Sequence, residues 1–384
     1  MLLSNLVAAQ QDENKIEGNK SDIEANFLLS YYQQDGDNAA VTGGLGTEQL
    51  QDFASMIVVN IPKDSVRAFS LMLGADAYSS ASTDNIDDNV SSASRQDVRA
   101  YGIVGYTKKN LKRGEVYGAR LGFSAEYDYT SFSVGLSYAK SFNDGNSELS
   151  LNSQAFFDNW QLIYPIELRD QVQLANSQRQ SFNFQATFSQ VLSRRLQMSL
   201  SGELIYMKGL LSTPFHRVYF SDQNLPDIER LPDTRLKIPL GIRLHYFPID
   251  NIVLRSYYRY YSDDFGIDGH TVSLEIPIKL NDVLTIAPFY RYHTQTGSDY
   301  FAPFAQHQRT EAFYTSDFDL SELNSQKFGM GVRYAPIYEI GKVNIPFSKK
   351  NLGINALTFR GAYYTRSTGL NAFIFSIDLS MIIH

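Results

Sequence analysis

Between Thr130 and Phe142 the chain reads TSFSVGLSYAKSF, and its large apolar residues take every second position: Phe132, Val134, Leu136 and Tyr138. Ser131, Ser133, Gly135, Ser137 and Ala139 alternate with them. A strand sends successive side chains to opposite faces, so this segment has one greasy face and one small, wet face. One such strand fits any half-buried sheet. Here the pattern recurs from end to end with turn residues between copies. That recurrence is the signature of a transmembrane antiparallel β-barrel, with apolar residues toward lipid and polar residues toward the lumen.

The two faces can be written down strand by strand. Tyr117, Ala119, Leu121 and Phe123 oppose Gly118, Arg120, Gly122 and Ser124. Leu240, Ile242, Leu244 and Tyr246 oppose Gly241, Arg243 and His245. Phe328, Met330, Val332 and Tyr334 oppose Lys327, Gly329, Gly331 and Arg333. No helical stripe competes with this period. The predicted strands begin near Ile23, Leu50, Val66, Asp97, Glu115, Thr130, Glu148, Ser181, Arg195, Leu236, Asn251, His270, Val283, Ser325, Ala356 and Leu370. They number about 16, at roughly 10–14 residues each, near the length a tilted membrane strand needs.

Bulk composition agrees once a barrel is considered. Hydrophobic residues make up 43%, charged residues 20%, and mean hydropathy is −0.26. No stretch approaches the roughly 20 apolar residues of a membrane helix. A barrel escapes a hydropathy scan because half of each strand faces water. There are 25 Tyr and 25 Phe against one Trp; tyrosine suits the membrane–water interface, where its ring is buried and its hydroxyl stays wet. Cysteine is absent, which excludes disulfides and thiolate metal sites. A net charge of −7 argues against nucleic acid as a partner. The start, MLLSNLVAAQ, has an apolar run and a small-residue Val7-Ala8-Ala9 step. Residues 1–22 are therefore expected to be a signal-peptide remnant with a flexible N-terminus, and 23–384 a single barrel domain.

Connection lengths carry independent information, because outer-membrane barrels have short periplasmic turns and longer external loops. With the N-terminus in the periplasm, the predicted periplasmic turns Pro62–Ser65, Asn143–Asn146, Ser193–Arg194, Pro248–Asp250 and Asn281–Asp282 are short. The predicted external loops Gln34–Glu48, Ser79–Gln96, Asn159–Gln180, Ser212–Arg235 and Gly297–Asn324 are long. Tyr127–Tyr129 is short for an external loop and Ala335–Asn355 long for a periplasmic turn.

The lumen parity carries the candidate chemistry. Arg243, Arg255, Arg259, Arg291, Arg333 and Arg360 all fall on it, with Lys237, Lys279 and Lys327. Charge is costly on the lipid face, so these side chains point inward or lie at the rims. They are read as lumen-binding residues, a basic strip that sets anion preference. Asp76, Glu126, Glu203, Glu275 and Asp378 share the parity. A lumen packed with ion pairs that hold the barrel's shape is thus an equal reading. Asp84, Asp87 and Asp88, in a Ser- and Asn-rich external loop, offer oxygen ligands for calcium; a solvated acidic loop is the blander alternative. Ser316-Asp317-Phe318-Asp319 is a similar small acidic cluster. Thr42–Glu48 is glycine-rich but lacks the Lys-Ser/Thr ending of a phosphate loop. His245 and His293 share the lumen parity and Asp263 lies near the rim, yet no zinc spacing and no nucleophile–base pair can be identified. The expectation is no enzyme, and no cofactor apart from that calcium.

Five stretches, VTGGLGTEQLQD (Val41–Asp52), YSSASTDNID (Tyr78–Asp87), PFYRYHTQTGSDYFAPF (Pro288–Phe304), FYTSDFDLS (Phe313–Ser321) and FGMGVRYAP (Phe328–Pro336), resemble an uncharacterised family of bacterial outer-membrane proteins known only as a domain of unknown function. The resemblance implies a barrel in the outer membrane of a Gram-negative cell. It supplies no catalytic or binding residue. Members are thought often to be encoded near extracytoplasmic flavin-transfer and thioredoxin-like genes, which implies a redox-related envelope system. The first functional expectation is a porin-like channel or transporter with a charged, arginine-rich lumen. The second is a non-conducting barrel that binds or scaffolds an envelope protein partner through its long loops. A membrane-embedded hydrolase is the third. Outer-membrane lipid is a partner in all three.

Overall fold

Asn143, Asp144 and Gly145 all hold left-handed backbone, at φ 52°, 53° and 83°. Asn, Asp and Gly are the residues that enter this region at least cost, so the NDGN segment closes a tight hairpin where a β-branched residue could not. Turns of this kind join the sheet at one end. The computed structural model describes residues 22–79, 96–165, 167–168, 177–222, 225–344 and 351–383.

The wall is built from β1 (Ile23–Asp35), β2 (Leu50–Pro62), β3 (Arg67–Ser79), β4 (Gln96–Asn110), β5 (Glu115–Ala125), β6 (Tyr129–Phe142), β7 (Ser147–Trp160) and β8 (Gln178–Ser193). It continues through β9 (Leu196–Gly209), β10 (Thr234–Ile249), β11 (Ile252–Asp263), β12 (Asp268–Glu275), β13 (Leu284–Gln295), β14 (Leu323–Tyr334), β15 (Asn351–Arg366) and β16 (Asn371–Ile383). Each strand pairs antiparallel with its sequence neighbours, and β16 returns to β1 from Ile23↔Ile383 to Asp35↔Asn371. The result is a closed antiparallel barrel of 16 strands. Closure leaves the sheet without a free edge, the only way a sheet can cross lipid. No helix among the described residues is long and apolar enough to cross a membrane; the strands do so.

Two short segments extend the wall. Ile278–Lys279 continues β12 beyond Pro277, whose missing N–H interrupts the ladder. Gly341–Asn344 pairs with the start of β15. The connection expected to be a long periplasmic loop, Ala335–Asn355, is therefore partly a hairpin. At the other end, Tyr127 belongs to a short turn held by Glu126 N–H donating to Tyr129 O at 2.8 Å.

The outward face is apolar. Leu121 is 50% exposed and Leu136 61%, although both sit mid-strand. Such side chains belong in lipid. Outward tyrosines near the external end tie into outward polar groups. Tyr290 donates to Gln326 at 3.1 Å, Tyr292 to Asn324 at 3.0 Å and Tyr363 to Asn371 at 2.9 Å. This is the interfacial girdle of a membrane barrel. The protein is an outer-membrane β-barrel.

Interior-like packing occurs elsewhere. Among the described residues Val218, Phe220 and Tyr314 form the buried apolar cluster, and all three lie in external loops.

Candidate functional site

Register places the lumen cations. One row runs Arg243↔Tyr257↔Ser273↔Arg291↔Lys327↔Tyr364 across β10 to β15. The next runs His245↔Arg255↔Glu275↔Phe289. Arg259 faces Gly241 and Thr271, Arg333 faces Thr285 and Thr358, and Arg360 faces Gly331. All six predicted arginines therefore share the inner surface.

Their surroundings differ. Arg255 and Arg360 share one carboxylate, Glu275, at 3.0 and 2.8 Å. Arg360 also lies over the Phe289 ring at 4.6 Å, Arg243 over Tyr257 at 5.2 Å and Arg259 over Tyr261 at 5.8 Å. Arg333 acts electrostatically on the Asp378 carboxylate. Arg291 and Lys327 are different: they are direct cross-strand partners. Arg291 and Arg360 act on Lys327 electrostatically, and Arg259 acts on Arg291. Like charges directly opposite each other oppose sheet pairing.

A cavity of about 400 Å³ opens over that pair. Arg291, His293, Lys327, Tyr364, Arg366 and Tyr32 supply its wall from β13, β14, β15 and β1. Glu48 and Asp319 come from external loops and form its roof. Arg366 pairs with Asp319, while Gln295 Nε2 donates to the Asp319 and Ser321 carbonyls at 3.0 and 2.9 Å. Burial, reinforced by the nearby Asp319 carboxylate, pushes the Glu48 carboxyl up to about 7.

The external loops fold onto one another. Arg217, between β9 and β10, donates to Val41 O at 2.6 Å in the β1–β2 loop. It also pairs with Glu167, between β7 and β8. β1 and β9 stand on opposite sides of the ring, so these loops meet across the mouth. Phe220 bridges to His307 and Arg230 to Tyr314, joining the β9–β10 loop to the β13–β14 loop. Tyr314 donates to Asp227 at 2.9 Å. Gly43 has φ 80°, and a Cβ there would stand 2.6 Å from the Tyr219 ring. The glycine-rich stretch of the first loop is thus a packing requirement.

Strand parity gives the inward direction of the arginines but not the roof. Glu48 and Arg366 were not singled out, and Asp319 appeared only as part of a small acidic cluster. Arg366 could have been found, since it shares Arg360's parity on β15. Glu48 and Asp319 lie outside any strand, where parity says nothing. Asp84, Asp87 and Asp88 lie outside the described residues. Asp263, considered for a histidine pair, is instead committed to Arg235, to the Tyr261 hydroxyl at 2.6 Å and to the Phe265 N–H at 3.0 Å.

A family model described as "Protein of unknown function (DUF3570)" matches residues 54–336. No curated protein matches the sequence. Among solved structures, the chain is similar to a bacterial polysaccharide outer membrane secretin, with a TM-score of 0.51 at 10% identity over 95% of this chain and 99% of that one. It is also similar to a BenF-like porin from Pseudomonas fluorescens Pf-5, with a TM-score of 0.44 at 9% identity over 95% of this chain and 100% of that one. At such identity the first likeness speaks to fold alone.

Proposed function

The chain belongs to the family described as "Protein of unknown function (DUF3570)", which carries no activity with it, and from the barrel's own geometry we propose a porin-like channel for small anions. The observation that carries this reading is the Arg291–Lys327 pair, two cations side by side beneath a cavity of about 400 Å³. An anion entering from outside passes the loops that meet across the mouth. It then meets Arg291 and Lys327 on the wall, where fixed positive charge replaces part of its hydration. Deeper along the wall, Arg255 and Arg360 are held by Glu275 and contribute less net field.

Planar-bilayer recording tests this. Wild-type protein is expected to conduct and to prefer chloride over potassium. A unit charge about 4 Å from a permeating ion is worth between about 1 and 4 kcal/mol in wet surroundings. Replacing Arg291 and Lys327 together by Gln should therefore reduce the preference several-fold. Unchanged selectivity, or no conductance from folded wild type, would overturn the reading. The second outcome would favour the other reading, a non-conducting barrel that presents its folded loops to an envelope partner. The observation behind that alternative is the buried Val218–Phe220–Tyr314 cluster, since ordinary flexible loops have no apolar core.

A further inference from the structure

We propose that His216, Glu229 and Asp317 form a binding site for a zinc-class divalent cation that ties the two longest external loops together. His216 and Glu229 lie between β9 and β10, and Asp317 lies between β13 and β14. His216 Nδ1 is 3.4 Å from Glu229 Oε1 and 3.9 Å from Asp317 Oδ2, and one ligand atom from each residue lies within 4.8 Å of the other two.

Those separations have chemical meaning. A charge-assisted N–H···O bond draws its atoms to about 2.7–2.9 Å. Two ligands held at about 2.0–2.1 Å from one tetrahedral zinc ion stand about 3.4 Å apart. The His216–Glu229 contact is a long hydrogen bond and the His216–Asp317 separation exceeds one, and both distances also fit atoms that share a metal. One imidazole with two carboxylates is a donor set that zinc accepts.

Charge points the same way. The Glu229 side chain is 2% exposed and that of His216 16%. Two carboxylates face one histidine here. Asp319, which also acts on His216 and Asp317, is largely exposed and paired with Arg366. Even with the imidazole protonated, the three ligands carry a net negative charge. Glu229 is the buried carboxylate and Asp317 is part-exposed, and a cation joining the two would offset the net negative charge of the ligands.

The supporting contacts orient the ligands. Thr315, fully buried, donates from Oγ1 to Glu229 Oε1 at 2.5 Å, and the Thr213 N–H donates to Oε2 at 2.6 Å. Asp317 Oδ1 accepts from the Asp319 N–H at 2.9 Å, which leaves Oδ2 directed at His216. The Phe215 ring stands edge-on to the imidazole at 5.3 Å. Partners of this kind fix ligand geometry around metals. The Asp317 side chain is 25% exposed, so a solvent ligand has access. Asp317 also caps the Phe318–Leu320 turn that carries Asp319, so a bound cation would hold the roof of the anion cavity in place.

The test uses untagged full-length protein in detergent, stripped with chelator and titrated with zinc or cobalt. Wild type is expected to bind one equivalent and to show the visible absorption of tetrahedral cobalt. His216→Ala and Asp317→Asn should each lose at least 100-fold in affinity, and Thr315→Val roughly 10–100-fold. Heat-modifiable migration on a gel reports whether each variant keeps its barrel. X-ray absorption of zinc-loaded wild type serves if a variant does not fold, with a nitrogen and oxygen shell containing one imidazole expected. No binding by wild type, equal binding by folded variants, or a shell without an imidazole overturns the site.

Discussion

Glu275 occupies a decisive position among the lumen side chains, because two arginines depend on one carboxylate. Glu275→Gln should release Arg255 and Arg360 and raise anion preference. Arg255 is about half exposed, so the stability cost should stay near 1 kcal/mol. Bilayer selectivity and thermal melting in detergent check the two halves of that statement. Glu48 makes a pH-dependent prediction. Its carboxyl is raised from 4.5 to about 7 by burial, with Asp319 and Asp317 adding repulsion and Arg366 opposing it. The folded protein therefore favours neutral Glu48, and this contribution to stability declines as pH climbs from the unfolded range near 4.5 through about 7. The cavity gains a negative charge over that interval. Chloride preference should accordingly be higher at pH 5.5 than at 8.5, and Glu48→Gln should remove most of the difference. A variant with the wild-type pH response would exclude Glu48 as the source. The arginines were legible because parity reports which way a strand residue points. Their pairing was not: Arg360 and Glu275 are 85 residues apart and meet through the barrel's curvature.

At the level of the strand, alternation does the work. Leu121 lies on the outward face of β5, opposite Val134 of β6 and Val104 of β4. Leu121→Arg should cost about 2–4 kcal/mol in a bilayer if it sits near the midplane. Ser133→Thr on the inner face of β6 should cost far less. Refolding into lipid vesicles with a denaturant titration measures both, and equal costs would contradict the assigned faces. Strand starts at Ile23, Leu50 and Glu115 coincide with the expected ones, while β15 begins at Asn351 rather than near Ala356. The early start follows from Gly341–Asn344, which extends the pairing below the main wall. That segment has no run of alternating large apolar residues, so periodicity could not report it.

Across the whole molecule, the loops are the part that folds like a soluble protein. Phe220 is 5% exposed and packs edge-on against Tyr314 at 5.0 Å. Phe220→Ala should destabilise the loop assembly by about 3–5 kcal/mol. The wall holds itself through closed hydrogen-bond ladders, so heat-modifiable migration should persist while external protease sites open. Loss of the barrel together with the loops would mean that the two are one cooperative unit. Membrane location, strand number and the inward direction of Arg243, Arg255, Arg259, Arg291, Arg333 and Arg360 were determined by the sequence alone. All three follow from a period of two, a local property that survives without knowledge of any partner. The tertiary structure decided which cations are neutralised, that Glu48 and Asp319 roof a cavity, and that His216 and Glu229 converge with Asp317. Those contacts join strands and loops far apart in the chain, and closure of the barrel brings them together.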